Sequence, residues 1–297
     1  MNMSIQKATI KRIIGVVFLT MVSLVSGEEI YAQSIADKTK VVVARGSDIQ
    51  KLLDKALAEF GGIESFMKHN NVVIKPDISR NAHPSAGLTT DPNLVKYLIR
   101  SCYTGDPGVI FVIDHCVDEW TKCYKNSGIE RVAKDESAKV YPGNSKYFYR
   151  EKTVTGGKAL KKIHVHQTIV ESGVLINVPI LKNDPYSGIS GGLKNLKGCV
   201  NDWDFYQTNG LDQCIAEFLY FKKPELTIID ASKMINNLSD KKYPYVLIVG
   251  TNVVATDATA CRLVGIDPEQ VEHLKIASTL GFGSLREEDV RVVNVFQ

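Results

Sequence analysis

The residues best placed to do chemistry in this chain stand directly behind apolar, strand-like runs. Lys75 and Asp77 follow Val72-Val73-Ile74, and Asp114 and His115 follow Phe111-Val112-Ile113. Asn177, Lys182 and Asn183 surround Val178-Pro179, Asp230 follows Ile228-Ile229, and Thr251 and Asn252 follow Gly250. In open α/β sheets, ligands bind beyond the carboxyl ends of the strands, so these positions are the first to ask about function. The lysines suit an anionic group. Asp114, His115 and Asp230 have the right types for proton transfer, and Asp230 and Asp257 are candidates for a metal.

A second feature is the stretch Leu181-Lys-Asn-Asp-Pro-Tyr-Ser-Gly-Ile-Ser-Gly-Gly-Leu-Lys-Asn-Leu-Lys-Gly198. Gly188, Gly191 and Gly192 lie between Lys182 and Lys194, so backbone amides can converge on an anion while the lysines supply charge. It is not a Walker A loop, because the Gly-x4-Gly-Lys spacing and the following Ser or Thr are missing. The expectation is one pocket in which Lys182, Asn183, Gly191, Gly192, Lys194 and Asn195 meet Lys75 and Asp114. Clustered lysines repel one another unless carboxylates or a ligand compensate them. Asp114 and Asp230 are the expected internal partners, so Lys182→Ala and Lys194→Ala should weaken anion binding with little effect on stability.

Among the histidines, His115 beside Asp114 is the candidate for proton transfer. His164 and His166 share one face of an alternating segment, a spacing open to metal ligation, but no third ligand lies nearby and a solvent-facing strand explains it. His83 falls in a polar loop, and His69 and His273 read as surface helix residues. No nucleophile elbow, zinc-protease helix or Gly-x-Gly-x-x-Gly fingerprint occurs.

The elements that must position these residues alternate. Lys40–Ala44, Val72–Lys75, Val109–Ile113, Val174–Val178, Leu226–Ile229, Tyr245–Val249 and Val290–Val295 read as strands, with Ala138–Tyr141 and Ile163–Val170 as weaker ones. Between them, Leu52, Leu53, Ala56, Leu57 and Phe60 recur at helical spacing, as do Leu94, Val95, Leu98 and Ile99. Further helices are expected over 118–134, broken near Ser127-Gly128, and over 211–221, 253–264 and 268–279. Repeated βα units predict an α/β protein with a mainly parallel sheet and helices on both faces, in one domain over 37–297 or in two lobes meeting near 143–171.

Composition limits the partners. Hydrophobic residues at 44% and charged residues at 23% exclude a disordered chain. A net charge of +3 without a basic block argues against nucleic acid. Lys7, Lys11 and Arg12 precede the apolar run Ile13–Val25, and Ile30-Tyr31-Ala32 offers a cleavage site. Residues 1–32 therefore read as a signal peptide cleaved after Ala32, giving a periplasmic or extracellular protein of net charge +2 with no later membrane span. Six cysteines, Cys102, Cys116, Cys123, Cys199, Cys214 and Cys261, permit disulfides after export, but no Cys-x-x-Cys pair encodes a zinc ribbon or a ferredoxin-type iron–sulfur loop. On one continuous helix, Cys116 and Cys123 would be about 10 Å apart, too far to bridge.

Val73-Ile-Lys-Pro76, Thr89-Thr-Asp-Pro92, Leu175-Ile-Asn-Val-Pro-Ile-Leu-Lys182, Gly192-Leu-Lys-Asn-Leu-Lys-Gly198, Leu226-Thr-Ile-Ile-Asp230, Val254-Ala-Thr-Asp257 and Leu280-Gly-Phe-Gly283 together resemble the family called domain of unknown function 362. The resemblance implies an α/β protein, often exported and often joined to iron–sulfur ferredoxin modules, with no established activity. This chain lacks such a module, so an electron-transfer partner would be a separate protein, and the cofactor is unknown. The chain departs from the family at Asn183 and Asn209, where histidines are common, and at Asn252, where aspartate is common. Two readings follow. One is an enzyme acting on a small carboxylate- or phosphate-bearing ligand, with or without a metal; the other is a non-catalytic periplasmic binding or redox-partner module.

Overall fold

The computed structural model describes residues 38–297 except 68, 142 and 239–241. The expected signal peptide and its cleavage site lie outside the described residues. The main sheet runs in the order β12 (Val290–Phe296), β1 (Thr39–Gly46), β11 (Tyr245–Gly250), β10 (Leu226–Asp230), β7 (Val174–Val178), β2 (Val72–Pro76), β3 (Ile110–Val112) and β4 (Lys139–Val140). Two antiparallel hairpins accompany it, β5 (Tyr149–Thr153) with β6 (Lys162–His166) and β8 (Lys182–Asp184) with β9 (Gly188–Ser190). Seven strands of the sheet share one direction. Only β11 is reversed, antiparallel to both β1 and β10.

That reversal corrects one expectation. Thr251 and Asn252 follow a strand, but a reversed one, so they emerge at the opposite edge from Lys75, Asp114 and Asp230. Asn252 instead caps the Val253–Leu263 helix by accepting from the Ala255 amide, and its own amide donates to the Phe282 carbonyl.

The continuous apolar runs reflect burial on both faces. Every residue of β2, β7 and β10 is buried. In β1, Val41 and Val43 point into one core while Val42 and Ala44 point into the other. The Ile49–Ala58 and Pro92–Thr104 helices cover the second core with Leu52, Leu53, Leu94 and Leu98, and the Val253–Leu263 and Glu272–Thr279 helices cover the first with Val254, Cys261 and Leu274. The break expected at Ser127-Gly128 separates the Trp120–Asn126 and Ile129–Asp135 helices, where Gly128 takes a φ of +73°. Residues Thr39–Gln297 hold together as one unit rather than two lobes. Among the described residues, no helix is long and apolar enough to cross a membrane.

Three side-chain expectations change. His273 is buried, not on the surface, and pairs with Asp212 at 3.0 Å. His164 is half-exposed against Asp202, but β6 ends at His166, which turns inward and caps the Gln167–Glu171 helix. The two imidazoles therefore serve different ends, and among the described residues no group of His, Cys, Asp and Glu forms a metal site. All six cysteines are buried and unbridged. Cys116 precedes the Trp120–Asn126 helix rather than sharing it, so its thiol can hydrogen-bond with that of Cys123.

Candidate functional site

A cavity of about 280 Å³ opens at the carboxyl ends of β2, β3 and β7. It is lined by Lys75, Asp114, His115, Lys182, Asn183, Lys194 and Asn195, and also by Asp77, Asp184, Lys197 and Trp203. Parallel strands deliver Lys75 and the Asp114-His115 pair to one edge, and the chain leaving β7 folds the β8–β9 hairpin and the short Gly192–Asn195 helix over it.

The floor is a closed network. Lys75, 1% exposed, lies 2.6 Å from Asp114 Oδ1 and donates to Asn195 Oδ1 at 2.8 Å and to the Pro76 carbonyl at 3.0 Å. An ammonium has three protons, so none is left for a ligand. Asp114 accepts from the amides of Ile78 and His115 through its two oxygens. Asn195 donates to Asn177, whose own amide donates to the Gly192 carbonyl. Burial is the largest influence on Asp114 and raises its pKa to about 6, against the pull of Lys75. Gly198 packs directly on this pair: a Cβ there would sit 2.7 Å from Lys75 Cε and closer still to Asp114 Oδ1.

The walls carry three more lysines in two situations. Lys182 pairs with Asp77 at 2.7 Å and Lys194 with Asp184 at 2.5 Å. Burial opposes ionisation of Asp184, yet the bonds from Lys194 and Ser187 bring its pKa down to about 2. Lys197 has no ion pair among the described residues. Its ammonium lies 3.9 Å from the centre of the Trp203 ring. Burial, and then the charge of Lys194, lowers its pKa to about 8.

His115 is stacked on the same Trp203 ring, with centroids 5.2 Å apart. Burial lowers its pKa to about 4, so it is a neutral imidazole near pH 7. The Tyr149 hydroxyl donates to the Gly143 carbonyl and so receives the proton of His115 Nδ1 at 3.2 Å. That network assigns the lone pair to Nε2, which faces the Asn144 amide at 3.4 Å.

Not every predicted residue comes to this cavity. Asp230 borders a separate one of about 520 Å³, with Asp91, Ser232 and Tyr245. The reason is local: the segment leaving β7 bridges to Asp230 at Ile180, so Ile180 borders Asp230's cavity while Lys182 onward borders the first. Asp230 accepts from the amides of Ser232 and Asp91, and burial raises its pKa. Asp257, 1% exposed, accepts from the amides of Gly192 and Leu193 at 2.6 and 2.8 Å. The Gly191-Gly192 turn is therefore a cradle already filled by an internal carboxylate, and a Cβ on Gly191 would press on Asp257 Oδ1 at 2.7 Å. With both oxygens engaged and its pKa raised by burial to about 6, Asp257 is a structural anchor and not a free metal ligand.

Lys197 and Trp203 were missed because they follow no strand. The signal was present in Leu193-Lys-Asn-Leu-Lys197: Lys197 lies one helical turn beyond Lys194 and so returns to the same side.

The fold and site define an α/β protein whose predominantly parallel sheet carries a polar, lysine-lined cavity at its strand ends. The chain belongs to the family described as domain of unknown function (DUF362), whose model matches residues 72–262. No curated protein matches. Among solved structures, the lactate racemase apoprotein from Thermoanaerobacterium thermosaccharolyticum is similar at 13% identity and a TM-score of 0.46, over 80% of this chain. The alignment spans 56% of that protein's length, and no activity is carried over from it.

Proposed function

We propose that this protein binds a small carboxylate- or phosphate-bearing molecule in the strand-end cavity and acts on it by proton transfer through His115. The observation that carries this reading is the unequal pairing of the four lysines. Lys75, Lys182 and Lys194 are each neutralised by an aspartate, while Lys197 carries charge without a carboxylate beside a neutral imidazole. An anion seated at Lys197 would lie within the reach of a base that needs no deprotonation at pH 7. Asp114, with both oxygens engaged, positions His115 through the backbone and Lys75 through the ion pair.

Calorimetric titration with inorganic phosphate and with acetate tests this. The wild-type protein should bind at least one of them, and Lys197→Met should lose about tenfold or more in affinity. Equal affinity in both proteins would overturn the reading. A non-catalytic binding module is the second reading, favoured by the complete internal pairing of Lys75, Asp114 and Asn195. On that reading His115→Gln leaves affinity intact and no ligand is ever turned over. Export of the chain is part of both readings and rests on the amino-terminal sequence; the mature protein should begin near Gln33 when its terminus is sequenced.

A further inference from the structure

We infer that Lys197 is an amine nucleophile that forms an imine with the carbonyl carbon of a small oxo acid. This deepens the anion-site reading and rests on it.

Three independent features single out Lys197. The first is its pairing: among the described residues no aspartate holds this cavity lysine in the ammonium form. The second is its setting. At 9% exposure most of its side chain is packed away from solvent, and its nitrogen lies 3.9 Å from the centre of the Trp203 ring. Lysines removed from water, or placed beside a second cation, are the ones that surrender a proton easily. Lys194 is that second cation, with Asp184 and Asp204 opposing it, and the balance favours release: the pKa falls to about 8. The third is the neighbour. His115 stacks on the same indole, and its unprotonated Nε2, faced by the Asn144 amide at a long 3.4 Å, is the group that exchanges that contact for the proton of the amine.

Charge specifies the rest of the ligand. The cavity is lined by Lys75, Arg80, Lys182, Lys194 and Lys197 against Asp77, Asp114 and Asp184. Arg80 is held by Asp118 at 3.3 Å, so the excess is one positive charge, that of Lys197. One charge matches a single carboxylate, and the imine in its protonated form keeps it. A cavity of about 280 Å³ restricts the acid to a few carbon atoms.

The step balances without a redox partner. The Lys197 lone pair forms a bond to the carbonyl carbon while the C=O π pair moves to oxygen. His115 takes the first proton that nitrogen sheds and returns it to that oxygen, giving a carbinolamine. His115 then carries the second nitrogen proton to the hydroxyl, which leaves as water while the nitrogen pair forms C=N, so amine plus carbonyl becomes imine plus one water.

Glyoxylate with sodium cyanoborohydride is the test, read by intact mass and peptide mapping on the full chain. The hydride reduces the imine to a stable secondary amine. Lys197 should be modified at least tenfold faster than the exposed Lys51 and Lys122, with a rate that levels off above about pH 8. Excess acetate should slow it. Lys197→Arg, which keeps the charge over Trp203, should keep the wild-type melting temperature and lose the fast adduct. Adducts spread over surface lysines, or an unchanged pattern in Lys197→Arg, would overturn the inference. If acetate or phosphate still binds and no adduct forms, the imine falls and the anion site stands; if neither anion binds, both fall.

Discussion

At the residue scale, each cavity lysine is defined by what it faces. Lys182 pairs with Asp77, which is 5% exposed and whose other oxygen is taken up by Ser79. Removing the lysine strands a buried carboxylate, and breaking such a pair costs more than forming it gained. Lys182→Ala should therefore lose about 1–3 kcal/mol in urea denaturation. Adding Asp77→Asn to that variant should recover part of the loss. This reverses the expectation that the substitution leaves stability intact. Lys197→Met strands no carboxylate and keeps an unbranched stem of similar volume against Trp203, so it should cost less than about 1.5 kcal/mol, as volume-conserving changes at buried positions do. A melting temperature equally low for both variants would contradict the difference in pairing.

At the element scale, the short Gly192–Asn195 helix persists because other parts of the fold satisfy its ends. Four residues cannot nucleate a stable helix by themselves. Asp257, from the Val253–Leu263 helix, takes the Gly192 and Leu193 amides, and Asn177, from β7, takes the Gly192 carbonyl. Asp257→Ala should thus speed hydrogen exchange at the Gly192 and Leu193 amides by tenfold or more and leave β2 and β7 protected. Uniform exchange across the sheet would show that Asp257 supports the whole fold instead. Gly198 is the other fixed point. Gly198→Ala should force Lys75 and Asp114 apart, costing about 1–3 kcal/mol from overpacking. His115 follows Asp114 directly, and its backbone amide donates to the Gly198 carbonyl, so the same substitution should weaken phosphate or acetate binding.

At the scale of the whole molecule, buried groups with opposed titrations offset one another. His115 and His166 both have pKa values lowered to about 4 by burial. Below the ordinary histidine pKa of about 6.5, the unfolded chain binds their protons and the native chain does not. Their contribution is present above that pH and is lost as pH falls through about 4. Asp114 and Asp257 have pKa values raised to about 6, so theirs is complete below the ordinary aspartate value of about 4 and is lost as pH rises through about 6. Between about pH 4.5 and 6 the two pairs cancel, and the melting temperature should change little. His166→Asn keeps a cap for the Thr168 amide but removes one histidine from the balance. Its stability should fall with rising pH over that window, by up to about 1.4 kcal/mol per pH unit. A curve parallel to the wild type would refute the assignment.

Much of this protein was legible locally. Short unbroken runs such as Val72-Val73-Ile74 and Leu226–Ile229, closed by Pro76 and Asp230, read as strands buried on both faces, and Leu52, Leu53, Ala56 and Leu57 read as one face of a helix at its period of 3.6 residues. From those runs follow the α/β class, the parallel sheet and the edge to which Lys75, Asp114 and Lys182 belong. What periodicity does not carry is partner choice. The reversal of β11, which moves Asn252 to the far edge, is decided by its pairing with β1 about 200 residues away in sequence. Asp257 fills the glycine turn from 65 residues beyond it, Lys182 finds Asp77 across 105 residues, and Asn195 finds Lys75 across 120. Each of those contacts depends on where the sheet places two distant side chains and on the cost of burying a charge without an opposite one. The tertiary structure alone therefore decided which lysine of the site was left unpaired.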